Sequence, residues 1–371
     1  MELSHEDTLR LHVLLAHAKA VRIDEGAPCV YGLTETGEVR VDLHPTGNPD
    51  IYLRLVREML STQVLGSPRG YPVYLRRWTR MGQMQTARLE PLLMLGEPEA
   101  VTAVACSPAL TPELAEKVWW SLPTSEIARY LLMNPRISQS GMGRTLALHL
   151  LEHLPFEQVP HTIIETVRLM LQPGLLSPEE RRTLWEKGRR KNAYHVGFLQ
   201  ALPDELPHLL PPHPALETFL SRLEPRMAEG NPYAAQLHRL LSSPGQAYLK
   251  AVERVLQKPA DQDVVVALLE AVRDYCAPVN PEGLYPSDPG LLLKQARSGL
   301  SQEGEPQALG TLREELPEGE AMIEAMLVLA QAGEPLVRPI FAKTTAIGTL
   351  MRRKIEPVAM PLLEAIGTLT A

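Results

Sequence analysis

Six arginines, Arg54, Arg57, Arg69, Arg76, Arg77 and Arg80, fall within residues 52–83, where Glu58 is the only acid. Tyr71, Tyr74 and Trp78 are interleaved with them, in a chain whose formal net charge is −7. The stretch is therefore a local reversal of sign. Guanidinium forks match carboxylate, phosphate and sulfate through paired hydrogen bonds, and flat rings beside them offer stacking surfaces. Arg54, Arg57, Arg69, Tyr74, Arg76, Arg77, Trp78 and Arg80 are accordingly the candidate site for a partner or an anion. Three readings fit these residues. In the structural one, arginine stems and rings cover a seam between an N-terminal module and a helical array, with the charges paired to acids such as Glu97, Glu99 or Glu113. In the second they recognise an anionic ligand or a protein partner. The third, RNA or DNA binding, has no RNP, KH or helix-turn-helix signature behind it.

Other residue types that do chemistry are present without the spacing that chemistry needs. His149 and His153 lie four apart on a helical pattern, which suits two metal ligands on one face. Glu152 lies between them in the wrong order for a zinc-protease motif, no third ligand is near in sequence, and they flank the apolar stripe Leu146, Leu150, Leu154. Ser140-Gly141-Met142-Gly143-Arg144-Thr145 looks like a phosphate loop but matches neither glycine-rich fingerprint, and no parallel-strand run precedes it. It reads as a helix start. No G-x-S-x-G elbow occurs, and the three cysteines, Cys29, Cys106 and Cys276, are too far apart and too few for a disulfide framework or a thiolate metal site. No catalytic residue, cofactor or metal is assigned.

The elements that must position the arginines begin at Ser4, an N-cap with Asp7 in the first turn. Leu9, Val13, Ala16 and Ala20 recur at helical spacing after it, predicting a helix over 4–18. Residues 20–24, 29–33 and 38–43 are β-rich runs broken by Glu25-Gly26 and Thr36-Gly37, the pattern of a small antiparallel meander. A three-stranded sheet needs a helix on one face, supplied by the first helix or by a second over 50–65. Asn48-Pro49 opens that second helix, and Leu53, Val56, Leu60 and Val64 give it an apolar stripe, with Arg54 and Arg57 sharing a face off it.

From about residue 90, short helices with repeated start signals follow one another. Gly96-Glu97-Pro98, Thr111-Pro112-Glu113 and Pro123-Thr124 recur every 13 to 14 residues, and Ser177-Pro178-Glu179-Glu180 is a complete capping box. Short capped helices at near-regular spacing bury their faces by stacking, as in a HEAT-like α-solenoid. The prolines at 203, 207, 211, 212 and 214 mark a break. The fold class expected is mainly α: a small N-terminal α+β module with the meander over 1–88, a helical repeat-like array over 89–202, and a C-terminal helical region over 203–371.

Composition agrees with this picture. Apolar residues make up 44% of 371 and aromatics only 5%, a balance that favours helix-on-helix packing, and the 34 prolines punctuate periodic runs rather than forming a low-complexity block. The net negative charge argues against general adhesion to nucleic acid or anionic membranes. The first residues lack the basic flank and apolar core of a signal peptide, and the most apolar run, 322–332, is too short to span a bilayer. A soluble cytoplasmic protein with no membrane contact is expected.

The wording LSHEDTLRLHVLLAHAKAVRID, YLRLVREML, LGSPRGYPVYLRRWTRMGQ and LLMLGEPEAV, across residues 3–101, resembles the front part of the DsrS-type proteins of dissimilatory sulfur metabolism, most specifically over 66–83. The resemblance implies a soluble cytoplasmic accessory protein found alongside the reverse-acting sulfite reductase of sulfur oxidisers, with a role in controlling production of that system. It carries no active-site residues over. The function expected is non-enzymatic and regulatory, acting through a protein or macromolecular partner. The alternatives are a small-anion binder or enzyme using the arginine and aromatic segment, and an RNA-binding post-transcriptional regulator.

Overall fold

The computed structural model describes residues 2–66, 89–300 and 304–370. The Ser4 hydroxyl accepts from the Asp7 backbone N–H and starts helix α1 (His5–His17). Strands β1 (Ala20–Asp24), β2 (Cys29–Thr34) and β3 (Gly37–Asp42) follow as an antiparallel meander in the order β1-β2-β3. Thr34 pairs with Gly37 across a two-residue turn, and Gly37 takes φ 122°, which a side chain would resist. The Asn48 side chain caps helix α2 (Pro49–Leu65), which ends at Gly66 in the left-handed conformation.

Both expected helices contribute to one core. Leu11 and Leu14 of α1, Val21, Val30 and Val41 of the sheet, and Tyr52, Leu53, Val56 and Leu60 of α2 pack together. At Gly32 a Cβ would come within 2.5 Å of Leu14 Cδ1, so α1 reaches the sheet only because β2 has no side chain at that point.

The apolar stripe read for α1 is corrected. Asp7, Leu11 and Leu14 are the buried residues of α1, while Leu9 and Val13 stand 66% and 56% exposed and Ala20 belongs to β1. The helix is apolar on two sides, so its periodicity did not select a face. Contacts beyond the helix did: the gap at Gly32, and the fully buried Asp7 carboxylate, which accepts from Tyr52 Oη at 2.5 Å and His44 N at 2.9 Å and lies 3.2 Å from His44 Nδ1.

The rest is helical. By Cα packing the chain forms two compact units, Met1–Pro155 with Pro173–Leu175, and Phe156–Gln172 with Leu176–Ala371. The first continues from the meander with α3 (Pro98–Ala105), α4 (Pro112–Ser121), α5 (Ser125–Met133), α6 (Pro135–Ser138) and α7 (Gly141–His153). Thr111 and Thr124 cap α4 and α5 as their spacing predicts, each hydroxyl accepting from the N–H three residues on.

The second unit holds α8 (Pro160–Met170), α9 (Pro178–Lys187), α10 (Ala193–Ala201), α11 (Ala215–Ala228), α12 (Pro232–Leu241), α13 (Ser243–Gln257), α14 (Gln262–Cys276), α15 (Leu292–Arg297), α16 (Gln307–Glu315), α17 (Glu320–Leu329), α18 (Glu334–Phe341) and α19 (Gly348–Thr370). The capping box at Ser177 and Glu180 forms in both directions. Neighbouring helices pack in pairs, such as α8 on α10 and α11 on α12, and α19 returns to pack on α13 and α17.

Polar side chains brace this unit. Arg239 makes a two-pronged contact to Asp204, at 2.9 and 2.6 Å, and its guanidinium lies 3.7 Å from the centre of the Tyr275 ring. Tyr275 Oη also reaches Asp204 at 3.1 Å, and Tyr248 stacks on Tyr275 with centroids 3.9 Å apart. The proline-rich break after α10 is thereby tied to α12 and α14. His195 of α10 is 1% exposed against Trp185, with Nε2 3.1 Å from the Trp185 carbonyl oxygen. Burial pushes its imidazole down to about 4, against the opposing pull of that carbonyl.

Candidate functional site

Of the residues singled out for chemistry, Arg69, Tyr74, Arg76, Arg77, Trp78 and Arg80 lie outside the described residues. Arg54 and Arg57 are on α2, on the side away from its buried stripe. Arg54 Nε sits 3.6 Å from Glu58 Oε1 one turn on, and Arg57 Nη2 sits 2.5 Å from Glu25 Oε1 in the β1–β2 turn. Each lies beside a carboxylate: Arg57 ties α2 to the β1–β2 turn, while Arg54 makes only an exposed pair within α2. Arg54 remains the more open of the pair, with 68% of its side chain exposed.

The feature that the module leaves open lies at its other edge. A groove of about 980 Å³ runs between α1 and β3, lined by Leu9, Val13, Val39, Arg40 and, at one end, Thr34 and Glu35. Three large apolar side chains stand in water along it: Leu9 and Val13 from α1, and Val39, 41% exposed, from β3. Val39 shares a sheet face with Val41 and Val30, the face that α1 covers farther in. Beside β3 that cover stops.

Among the described residues β3 is also an edge strand. Leu43 N donates to the Pro28 carbonyl at 2.7 Å, which sets the phase of the β2–β3 ladder: Gly37, Val39 and Val41 direct their backbone groups toward β2. Glu38, Arg40 and Asp42 direct theirs outward. An apolar groove alongside a row of outward N–H and C=O groups is the arrangement that accepts an added strand.

On the opposite face of the same sheet a polar and aromatic cluster gathers around Arg22. Arg22 lies 4.9 Å from the Tyr31 ring centre and 5.1 Å from that of Trp120, while its Nη2 sits 3.2 Å from Glu38 Oε2. Trp120 Nε1 donates to the same carboxylate oxygen at 2.9 Å. This arginine, with two rings and an acid, joins β1, β2 and β3 to α4 across 98 residues of sequence. Sequence reasoning missed it, because nothing local links Arg22 to Trp120. The buried Asp7 was likewise read as a helix-start charge. Burial pushes its carboxyl up, but hydrogen bonds from Tyr52 and His44 outweigh that and hold it below its ordinary value.

His149 and His153 stack on each other with centroids 4.0 Å apart, and Trp119 packs edge-on to His149. Burial lowers the His149 imidazole, and His153 beside it adds to that effect. Among the described residues no group of three or more His, Cys, Asp and Glu is placed to hold a metal. Ser140 caps α7 as expected, its Oγ accepting from Met142 N. Gly143 is there for packing: a Cβ would come within 2.1 Å of the Ser138 carbonyl oxygen, so the turn of α6 sits directly on it. Cys276 is fully enclosed, and burial pushes its thiol up to about 12.

No protein-family model, curated protein or solved structure matches the chain. Among the described residues no helix is long and apolar enough to cross a membrane.

Proposed function

We propose that the protein is a non-enzymatic accessory or regulatory protein that acts by docking other protein chains, and that the groove between α1 and β3 is a docking surface. One observation carries this reading: Leu9, Val13 and Val39 stand in water along one groove, beside a strand edge that is open among the described residues. Contiguous apolar surface next to unpaired backbone is costly to leave bare and is kept where another chain covers it. The resemblance of residues 3–101 suggests the setting, the cytoplasm of a sulfur oxidiser and control of its sulfite reductase system, and we take that complex as the first partner to test.

Co-purification with the sulfite reductase complex of a sulfur-oxidising cell tests the reading. The wild-type chain is expected to retain the complex, and Leu9→Gln with Val13→Gln to lose at least tenfold of it. Equal recovery with both proteins, or recovery with neither, overturns the assignment.

Recognition of a small anion by the arginine segment is the second reading, favoured by the exposure of Arg54. Sulfate, thiosulfate or phosphate that binds the native state raises the melting temperature, and an unchanged temperature in all three removes this alternative.

A further inference from the structure

We infer that the first chain the β3 edge docks is a second copy of this protein, paired antiparallel through β3 so that two meanders join into one six-stranded sheet. The inference rests on the groove being a docking surface and adds the identity of the occupant.

The charge pattern of the edge makes the case. β3 reads Glu38-Val39-Arg40-Val41-Asp42, with Glu38, Arg40 and Asp42 on one face and Val39 and Val41 on the other. When two antiparallel β3 strands meet with Val39 opposite Val39, Glu38 of each copy falls opposite Arg40 of the other. Those are also the two positions whose backbone groups point outward, so each Glu38–Arg40 pair exchanges both of its hydrogen bonds in a narrow ring. Shifting the register by one pairing step, to Arg40 opposite Arg40, sets Glu38 against Asp42 and places like charges together at every polar position. The favoured register thus satisfies backbone, charge and apolar pattern at once.

The two-fold axis of such a pair stands perpendicular to the sheet. It keeps both α1 helices on one face, buries Val39 against its counterpart, and brings Leu9 and Val13 of both copies to the same side of the joined sheet. Pairing therefore enlarges the apolar surface offered to a larger partner. Nothing about Arg40 opposes this: its contact to Asp42, with Nε 2.8 Å from Oδ1, lies along the strand and leaves it 55% exposed.

Charge exchange across the axis gives the test. Light scattering of the full chain over a range of concentrations is expected to show a dimer for the wild type. Glu38→Arg and Arg40→Glu are each expected to weaken it at least tenfold, because each sets like charges opposite one another. An equimolar mixture of the two single variants is expected to regain the dimer mass, since the arginine introduced at position 38 of one copy then faces the glutamate introduced at position 40 of the other. A monomeric wild type, single variants that still dimerise, or a folded mixture that stays monomeric overturns the proposal.

Glu38 also holds Arg22 and Trp120, so an independent measurement on the unaltered chain stands beside the variants. The amides of Glu38 and Arg40 are expected to exchange as slowly as those of β2 and to lose that protection on dilution. Exchange at the free-peptide rate at high concentration overturns the pairing. If it fails while Leu9→Gln with Val13→Gln still abolishes capture of the sulfite reductase complex, the groove keeps its docking role and the self-pairing alone is lost.

Discussion

Beside β3, apolar side chains stand in water; in the second unit, a half-buried guanidinium pairs with an exposed carboxylate and an imidazole is drawn in among the helices. Leu9, Val13 and Val39 satisfy nothing in the module that carries them. Arg239, Asp204 and Tyr275 satisfy one another, and His195 Nε2 meets the Trp185 carbonyl. The polar groups are bound into the fold, so removing one leaves its partners unpaired, at a cost of about 1–3 kcal/mol where the partner is buried. The exposed apolar groups contribute little to folding, and in the proposed docking role a contact outside the chain covers them. A residue whose loss is free for stability but costly for association belongs to function, and that difference sorts the two regions.

The sharpest break comes from acid. His195 has an ordinary value near 6.5 unfolded and about 4 folded, so the unfolded state binds a proton first as pH falls. Its contribution is fully present above about pH 6.5 and is lost toward pH 4, by roughly 3 kcal/mol at about 1.4 kcal/mol per pKa unit. Urea unfolding across that range measures the loss. The His195 ring, followed by NMR, should remain neutral at pH 5.5, and a ring protonated there removes the account.

Arg239→Ala is next. It leaves Asp204 without either prong and takes the cation off Tyr275, and with the pair partly open to water a loss of about 2 kcal/mol is expected. Chemical denaturation measures it, and a change under half a kcal/mol would show the contact to be ornamental. Gly32→Val should cost a similar or slightly smaller amount, about 1–3 kcal/mol from overpacking, because its Cβ must displace Leu14. That cost should fall on α1, seen as faster amide exchange from Leu11 to Ala18. Smallest for stability is Leu9→Gln with Val13→Gln, expected within about 0.5 kcal/mol of wild type by the same denaturation. A larger loss would mean these side chains serve the fold, and the contrast between the regions would close.

Much of the frame was legible in the residues. β1 runs from Ala20 to Asp24 where the sequence predicts it, α2 starts at Asn48-Pro49, and Ser177 with Glu180 makes its box, because caps, turns and two-residue periodicity act over a few bonds. The site was less legible. The arginine stretch drew attention by composition; its two described members, Arg54 and Arg57, pair with Glu58 and Glu25, and the rest of it lies outside the described residues. Among the described residues Arg22 is set between two rings, and it meets Trp120 only through the fold. Choosing the face of α1 failed for the same reason: two apolar stripes on one helix are equal until something packs against one of them.

The amino-acid order alone placed the helix caps and turns of α1, α2, the meander and α9 to within a residue or two, since those choices rest on neighbouring backbone groups and local propensity. Tertiary structure decided which apolar residues stay in water, where Asp7 and Arg239 find partners, and which strand edge remains open. Those outcomes depend on contacts between residues far apart in the chain, and on a missing side chain at Gly32 that lets α1 turn one face to the core and leave the other out.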